Sequence, residues 1–226
     1  MMAVVRGCGG GDDDTGGNQD SPISSSQTME TASRWRPEEG LAALSQATKF
    51  SRSELKLMYR GFKQECPTGL MTELEFRDIY AKFFPMGDCS QYAKYVFSTL
   101  DKEGDGVVSF GTVIRVLSLL FRGSVHDRLH WLFSLYDVNR DGFISRADVA
   151  DVVESIYGIL GSGNTVPQVD EAGCRQHAER VFLRLLSRNN ASSSSSSEFI
   201  SERDFVEHCL KDVQLQESLG VFDDPW

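Results

Sequence analysis

Residues 137–148 read DVNRDGFISRAD, a polar run with the spacing of a calcium-binding loop between two helices. Such a loop needs oxygen ligands at positions 1, 3 and 5, a backbone carbonyl at position 7 and an acid at position 12. Its sixth residue turns with positive φ, which favours glycine, here Gly142. The candidate ligands are Asp137, Asn139, Asp141, the backbone of Phe143, and Asp148. The stretch predicts a cation site, and the alternative is a polar turn that binds nothing.

The last ligand position of this loop departs from the usual pattern, which asks for Glu. Asp148 is one methylene shorter than Glu, so its carboxylate reaches less far into the loop. Calcium takes six to eight oxygens at about 2.3–2.6 Å, whereas magnesium prefers six at about 2.0–2.1 Å. We therefore predict weakened calcium affinity and relatively better magnesium binding, with Ser145 at position 9 acting through water.

Apolar residues at helical spacing flank the loop on both sides. They are Leu129, Leu132, Phe133 and Tyr136 upstream, and Val149, Val152, Val153 and Ile156 downstream. Each set of four falls on one face of a helix. The segment is therefore predicted to form a helix, a twelve-residue loop and a second helix.

The same unit recurs along the chain. Gly69 and Gly106 precede Gly142 at nearly equal spacing, and Ala93, Val96, Phe97 and Leu100 repeat the upstream apolar pattern. A fourth unit shows Ala178, Val181, Phe182 and Leu185 before its loop, and Phe199-Ile200 followed by Asp204-Phe205 after it. Strand signals are confined to pairs inside the loops, such as Val107-Val108 and Phe143-Ile144. We predict an all-α architecture with two pairs of units, at 34–121 and 122–226.

The second loop, DKEGDGVVSFGT at 101–112, is a weaker candidate. Asp101, Glu103, Asp105 and the backbone of Val107 occupy ligand positions, but Thr112 cannot chelate with a carboxylate. This loop either binds metal weakly or is an empty structural loop, and we favour the second reading.

The first and fourth loops are more altered. The first is predicted to run from Lys63 to Glu75, one residue too long, with Cys66-Pro67 in its middle. The fourth would begin at Leu186 or Ser187 and contains six serines at 192–197, which we interpret as a surface insertion. We expect no metal in either loop.

Composition and charge exclude several other classes of protein. Residues 1–33 are rich in Gly, Asp and Ser and are predicted to be disordered. The net charge of −10 argues against general nucleic-acid binding. No secretory signal is visible in MMAVVRGCGG, and the five cysteines are dispersed, which favours free thiols in a reducing compartment. No apolar run approaches the roughly 20 residues of a membrane helix.

Three stretches resemble a known family. They are RPEEGLAALSQATKFSRSELKLMYRGFKQECPTG at 36–69, IYAKFFPMGD at 79–88 and RGSVHDRLHWLFSLYDVNRDGFI at 122–144. They are similar to the neuronal calcium sensor superfamily of EF-hand proteins, and most of all to the Kv channel-interacting proteins, which are cytoplasmic auxiliary subunits of A-type voltage-gated potassium channels. The resemblance covers about Arg36 to Phe222.

The resemblance implies two EF-hand pairs that bind Ca²⁺ and present a hydrophobic groove. In the family, this groove holds the amphipathic N-terminal helix of a channel subunit, and the complex modulates gating and surface expression. The resemblance also implies a second contact, with the channel's tetramerisation domain, through Leu41, Tyr59 and Lys63. From helix periodicity alone, Tyr59 is equally explained as a core residue. The implied location is cytoplasmic, peripheral to the plasma membrane through the partner.

The chain departs from the family in two respects. Family members usually bind calcium in the third and fourth hands, whereas here the fourth loop carries the serine insertion. The sequence also starts without Met-Gly, so we do not expect the myristoyl anchor of many superfamily members.

Other functions fit the sequence less well. We expect no enzymatic activity, because His126, His130, His177 and His208 are scattered and no Cys or Ser lies in a nucleophile motif. His126 and His130 share a helical face, but no HExxH acid accompanies them. A calcium buffer would need more intact loops. The remaining alternative is a calcium sensor that acts on another target, such as a receptor kinase, a cyclase or a transcriptional site.

Overall fold

The computed structural model describes residues 40–160, 171–186 and 198–212, which fall within one compact unit, Arg36–Trp226. The predicted disordered segment 1–33 and the serine insertion 192–197 lie outside the described residues.

The described part of the chain is mostly helical, which confirms the all-α prediction. Its nine helices are α1 (Leu41–Ala47), α2 (Arg52–Glu65), α3 (Glu73–Phe83), α4 (Ser90–Leu100), α5 (Phe110–Arg122), α6 (Val125–Tyr136), α7 (Arg146–Leu160), α8 (Glu171–Leu186) and α9 (Glu202–Lys211). Among these helices, none is long and apolar enough to cross a bilayer.

Four short strands join the helix–loop–helix units in pairs. They are β1 (Leu70–Thr72), β2 (Val107–Ser109), β3 (Phe143–Ile144) and β4 (Ile200–Ser201). β1 pairs antiparallel with β2, placing Met71 opposite Val108, and β3 pairs with β4, placing Ile144 opposite Ile200. All four of these side chains are buried. The strand signals at Val107-Val108 and Phe143-Ile144 are thus confirmed.

Each helix that follows a strand begins with the same hydrogen-bonded cap. A hydroxyl at the N-cap accepts from the backbone N–H three residues later, in the pairs Thr72 and Glu75, Ser109 and Thr112, Ser145 and Asp148, and Ser201 and Asp204. A cap of this kind satisfies one of the free N–H groups of the first helical turn. The residue at loop position 12 is therefore also the third residue of the helix.

The apolar faces predicted from spacing form much of the core. The buried members are Ala93, Val96, Phe97, Leu100, Leu129, Leu132, Phe133, Val149, Val152, Val153, Ala178, Phe182 and Leu185, whereas Tyr136 and Val181 are half-buried. Ile156 departs from the prediction, since 36% of it is exposed. Its neighbour Ser155 is buried, and the Ser155 hydroxyl donates to the carbonyl of Val152 at 2.7 Å, which satisfies this polar group without water.

The predicted start of the first loop at Lys63 is wrong. Helix α2 continues to Glu65 and ends at Cys66, which is fully buried. Cys66 precedes Pro67, and proline disfavours the α conformation of the residue before it, so the helix ends there. Lys63 lies in the last turn, where its Nζ donates to the carbonyl of Pro67 at 2.7 Å.

Candidate metal-binding loop

The loop between α6 and α7 is organised around the side chain of Asp137. Asp137 is the C-cap of α6 and only 8% of it is exposed. Its Oδ1 accepts from the N–H of Asp141 at 3.0 Å, and its Oδ2 accepts from the N–H of Gly142 at 2.9 Å. Gly142 adopts φ 84°, as the turn at position 6 requires. Because each carboxylate oxygen has two lone pairs, both oxygens retain one for a cation.

The ligand positions 1, 3 and 5 are tied together by further hydrogen bonds. Asn139 Oδ1 accepts from the Asp141 N–H at 2.9 Å, and Asn139 Nδ2 donates to Asp141 Oδ2 at 2.9 Å. Asp141 Oδ1 in turn accepts from the N–H of Phe143 at 2.8 Å. The structure therefore links these three predicted ligands through Asp141 into one hydrogen-bonded network.

Asp148 is bonded to Ser145 at the start of α7, in addition to its predicted role as the ligand at position 12. Its Oδ2 accepts from the N–H of Ser145 at 2.8 Å and from the Ser145 hydroxyl at 2.5 Å. Both bonds use the same oxygen, which leaves Oδ1 as the atom that can turn toward a cation. Asp148 is 5% exposed, so this carboxylate lies inside the loop region and not on its outer surface. The short side chain is thus held at the first turn of α7.

The electrostatics of the loop favour a cation. Burial raises the pKa of Asp137 above its ordinary value, and the negative charges of Asp141 and Asp148 raise it further. The N–H groups of Gly142 and Asp141 partly oppose this rise. The carboxylates of Asp141 and Asp148 are therefore close enough to repel that of Asp137, and a bound divalent ion would relieve that repulsion.

Phe143 contributes to the loop through its backbone. Phe143 pairs with Ser201 between β3 and β4. The residue is 47% exposed, and its ring lies 6.4 Å from the ring of Phe199. The candidate ligand at position 7 is a carbonyl, so the exposure of the ring does not affect it.

Arg140 is a functional candidate that the sequence pattern did not single out. It has φ 59°, uncommon for a residue with a side chain, and its guanidinium donates to the carbonyl of Asp101 at 3.0 Å and to that of Ser98. Those carbonyls lie at the C-terminal end of α4, where cations interact favourably with the helix dipole. Loop 137–148 is thereby tied to the start of loop 101–112.

Loop 101–112 closes on hydrogen bonds of its own. Asp101 is 9% exposed and accepts from the N–H groups of Gly104 at 2.8 Å, Asp105 at 3.2 Å and Gly106 at 2.9 Å. Asp105 Oδ1 accepts from the Val107 N–H at 3.1 Å, which repeats the arrangement in the next loop.

Two positions of loop 101–112 do not match a cation site. Glu103 is exposed, and at position 12 the Thr112 hydroxyl is paired with the Ser109 hydroxyl at 3.1 Å. The structure therefore brings Asp101 and Asp105 together without an acid to complete the set.

The residues implied for partner binding differ in their surroundings. Leu41 begins α1 and is half-buried. The ring of Tyr59 lies 5.2 Å from that of Phe110 in an edge-to-face contact, and burial raises the pKa of its hydroxyl. Lys63 is half-buried and bonded to Pro67. Tyr59 thus contributes to packing, while its intermediate exposure leaves part of it at the surface.

The chain matches no known protein-family model. Across residues 40–160, 171–186 and 198–212, no three His, Cys, Asp or Glu side chains are already gathered in a metal-binding arrangement. A cation site in loop 137–148 is therefore supported by the hydrogen-bonded network of the loop and by the repulsion of Asp137 by Asp141 and Asp148.

Replacing Asp148 with Glu should raise calcium affinity on the order of tenfold, or about 1.4 kcal/mol, and increase the preference for calcium over magnesium. The longer side chain can keep the helix cap while offering a second oxygen. Glu75 occupies the equivalent position of the first loop, and its Oε2 accepts from the Thr72 N–H at 2.8 Å and the Thr72 hydroxyl at 2.9 Å. Calorimetric titration with each ion measures the change.

The reverse exchange, Glu75→Asp, is the matched control and should leave both titrations unchanged. An Asp148→Glu protein with the calcium affinity of the wild type would show that position 12 does not limit binding.

Proposed function

We propose that this chain is an EF-hand regulatory subunit with one principal Ca²⁺ or Mg²⁺ site, in loop 137–148. It binds the amphipathic N-terminal helix of A-type voltage-gated potassium channels and modulates their gating and surface expression. The observation that carries the metal-binding part is the buried carboxylate of Asp137, flanked by the charges of Asp141 and Asp148.

The pairing of loops supports the EF-hand assignment. Short antiparallel strands join loop 1 to loop 2 and loop 3 to loop 4, with buried apolar residues facing each other across each pair. A loop that has lost its ligands can be retained in such an arrangement because its strand still contributes a buried side chain to the core of the pair, as Met71 and Val108 do. Loss of ligands from three loops is therefore compatible with retention of four units.

The channel part of the proposal is supported by the family resemblance and by exposed apolar side chains. Leu57 on α2 is 55% exposed, Leu74 on α3 is 56% exposed and Met86 in the following linker is 79% exposed. Exposed leucine and methionine side chains are the kind of surface that accepts the apolar face of a helix.

Calorimetry with a synthetic peptide of the channel's N-terminal helix tests the proposed function. The control peptide has the same composition but its apolar residues are redistributed so that they no longer share a face. We expect the amphipathic peptide to bind at least about tenfold more tightly, because only it can bury a continuous apolar stripe. Failure of this peptide, with binding of a helix from another calcium-sensor target, would overturn the channel assignment.

A second arm tests the implied contact with the tetramerisation domain. Lys63→Glu should weaken binding of that domain, since it reverses a charge at the implied contact. Lys56→Glu makes the same change at an exposed position of the same helix and should have little effect. Equal effects of the two variants would point to general electrostatics and against a contact at Lys63.

A further inference from the structure

Two histidines and a glutamate from distant parts of the chain meet on the surface. His130 Nε2 lies 3.3 Å from His126 Nε2, and His130 Nδ1 lies 2.6 Å from Glu202 Oε1. His126 and His130 are one helical turn apart on α6, whereas Glu202 is the first residue of α9. We infer that His126 and His130 form a binding site for a transition-metal dication such as Zn²⁺, with Glu202 as a positioning residue.

The separation of the two Nε2 atoms suits a tetrahedral ion. Zinc–imidazole bonds are about 2.0–2.1 Å long, so two nitrogens on one tetrahedral ion stand about 3.3–3.4 Å apart. The observed 3.3 Å already has this value. An ion can therefore reach both nitrogens after small ring rotations, without a shift of the α6 backbone. Water completes the coordination, since the site supplies two protein ligands.

Glu202 sets the tautomer that metal binding requires. Its carboxylate accepts a hydrogen bond from the Nδ1–H of His130, which leaves the lone pair of His130 on Nε2, the atom facing His126. A carboxylate behind a histidine ligand orients the ring and increases its basicity. When the ion binds a neutral pair, the proton between the two Nε2 atoms moves through solvent to His126 Nδ1. When the pair is protonated, a proton is released.

The packing of α9 on α6 holds Glu202 in place. The rings of Phe133 on α6 and Phe205 on α9 lie 5.8 Å apart, and both residues are buried.

Asp127, next to His126 in sequence, is already bonded to Ser124. Its Oδ2 accepts from the Ser124 N–H at 3.0 Å and from the Ser124 hydroxyl at 2.6 Å. Asp127 thus caps α6 and is not part of the proposed ligand set.

The chemistry of this site separates it from loop 137–148. Imidazole nitrogens select zinc, copper and nickel, whereas calcium and magnesium prefer oxygen ligands. The inference therefore does not depend on the proposed calcium function. Saturating magnesium can occupy oxygen sites during a zinc titration without competing for the histidines.

Calorimetric titration of the full chain with Zn²⁺, in excess Mg²⁺ at neutral pH, tests the site. We expect His126→Gln and His130→Gln each to weaken zinc binding at least about tenfold, and Glu202→Gln to weaken it roughly tenfold. Binding should also weaken at mildly acidic pH, because protons compete for the imidazoles. These side chains are at the surface, with 41% of His130 and 50% of Glu202 exposed, so the variants should fold.

His177→Gln is the matched control. His177 is also half-buried, but its Nδ1 lies 2.8 Å from the hydroxyl of Tyr157, so this variant should keep the wild-type zinc affinity. A Cu²⁺ titration followed by electron paramagnetic resonance gives a second readout, because two bound imidazole nitrogens split the signal into more superhyperfine lines than one does.

Three results would count against the inference. Absence of zinc binding, or zinc affinity unchanged in both α6 variants, would overturn the site. Unchanged affinity in Glu202→Gln alone would overturn the positioning role of Glu202.

Discussion

Replacing Asp137 with alanine should lower the calcium affinity at least roughly 100-fold, or about 2.7 kcal/mol. In the proposed site Asp137 is the ligand at position 1, and it anchors the loop through the N–H groups of Asp141 and Gly142. Its side chain is also buried, whereas Asp141, the acid at position 5, is exposed. The variant therefore loses both a charged ligand and the hydrogen bonds that shape the site. Calorimetric titration of wild type and variant measures the loss.

Asp101→Ala is the matched control for this experiment. Asp101 ends α4 as Asp137 ends α6, has nearly the same exposure, at 9% against 8%, and accepts from the same kinds of backbone N–H groups. Its removal should cost similar stability but leave the calcium titration nearly unchanged, because loop 101–112 ends in Thr112. Equal loss of calcium binding in both variants would mean that the loss comes from destabilisation of the fold and not from removal of a calcium ligand.

Asp137→Ala should also change the pH dependence of the stability when no cation is present. The folded-state pKa of Asp137 lies above its ordinary value of 3.8 because of burial and the neighbouring carboxylates. The stability that protonated Asp137 contributes is fully present at pH values below the pKa of the unfolded state, and it is lost as pH rises through the pKa of the folded state. Asp137→Ala should lack this component. Urea unfolding of both proteins across the acidic range isolates it from the opposite contribution of Glu54, whose pKa Arg122 lowers to about 2.

Replacing Gly87 with alanine should destabilise the fold by about 3 kcal/mol. Gly87 lies in the linker between α3 and α4, where the backbone passes directly over the end of α7. A Cβ at this position would stand 2.0 Å from the carbonyl oxygen of Ile159 and 2.7 Å from that of Gly158. Both are backbone atoms that cannot rotate away. The linker would have to move, which would break the 2.9 Å bond from the Asp88 N–H to the Gly158 carbonyl.

Gly61→Ala is the control for Gly87→Ala. Gly61 is inside α2, and a Cβ there would meet nothing within 4 Å. Alanine is the better helix former, so this variant should gain about 0.5–1 kcal/mol. Urea unfolding midpoints of the two variants should thus move in opposite directions from the wild type. A Gly87→Ala protein as stable as the wild type would mean that the linker does not pack against α7 in solution.

Much of the local structure could be predicted from residue spacing. The apolar residues of α4 and α6 predicted the buried faces of both helices, and Val107-Val108 and Phe143-Ile144 predicted strands inside the loops. These predictions succeeded because helical and strand periodicity act over a few residues. The start of the first loop was misplaced at Lys63, since the apolar pattern carried no information about how far α2 continues before Pro67.

The sequence by itself determined the helix–loop–helix units, their glycine turns and the polar residues of loop 137–148. These depend on φ preferences, hydrogen bonds between near neighbours and apolar periodicity, which are properties of short segments. Only the tertiary structure decided that Arg140 meets the end of α4, that Glu202 meets His130, and that Gly87 meets Ile159. Those contacts join residues that are far apart in the chain, so they follow from how the helices pack against one another and leave no periodic trace in the sequence.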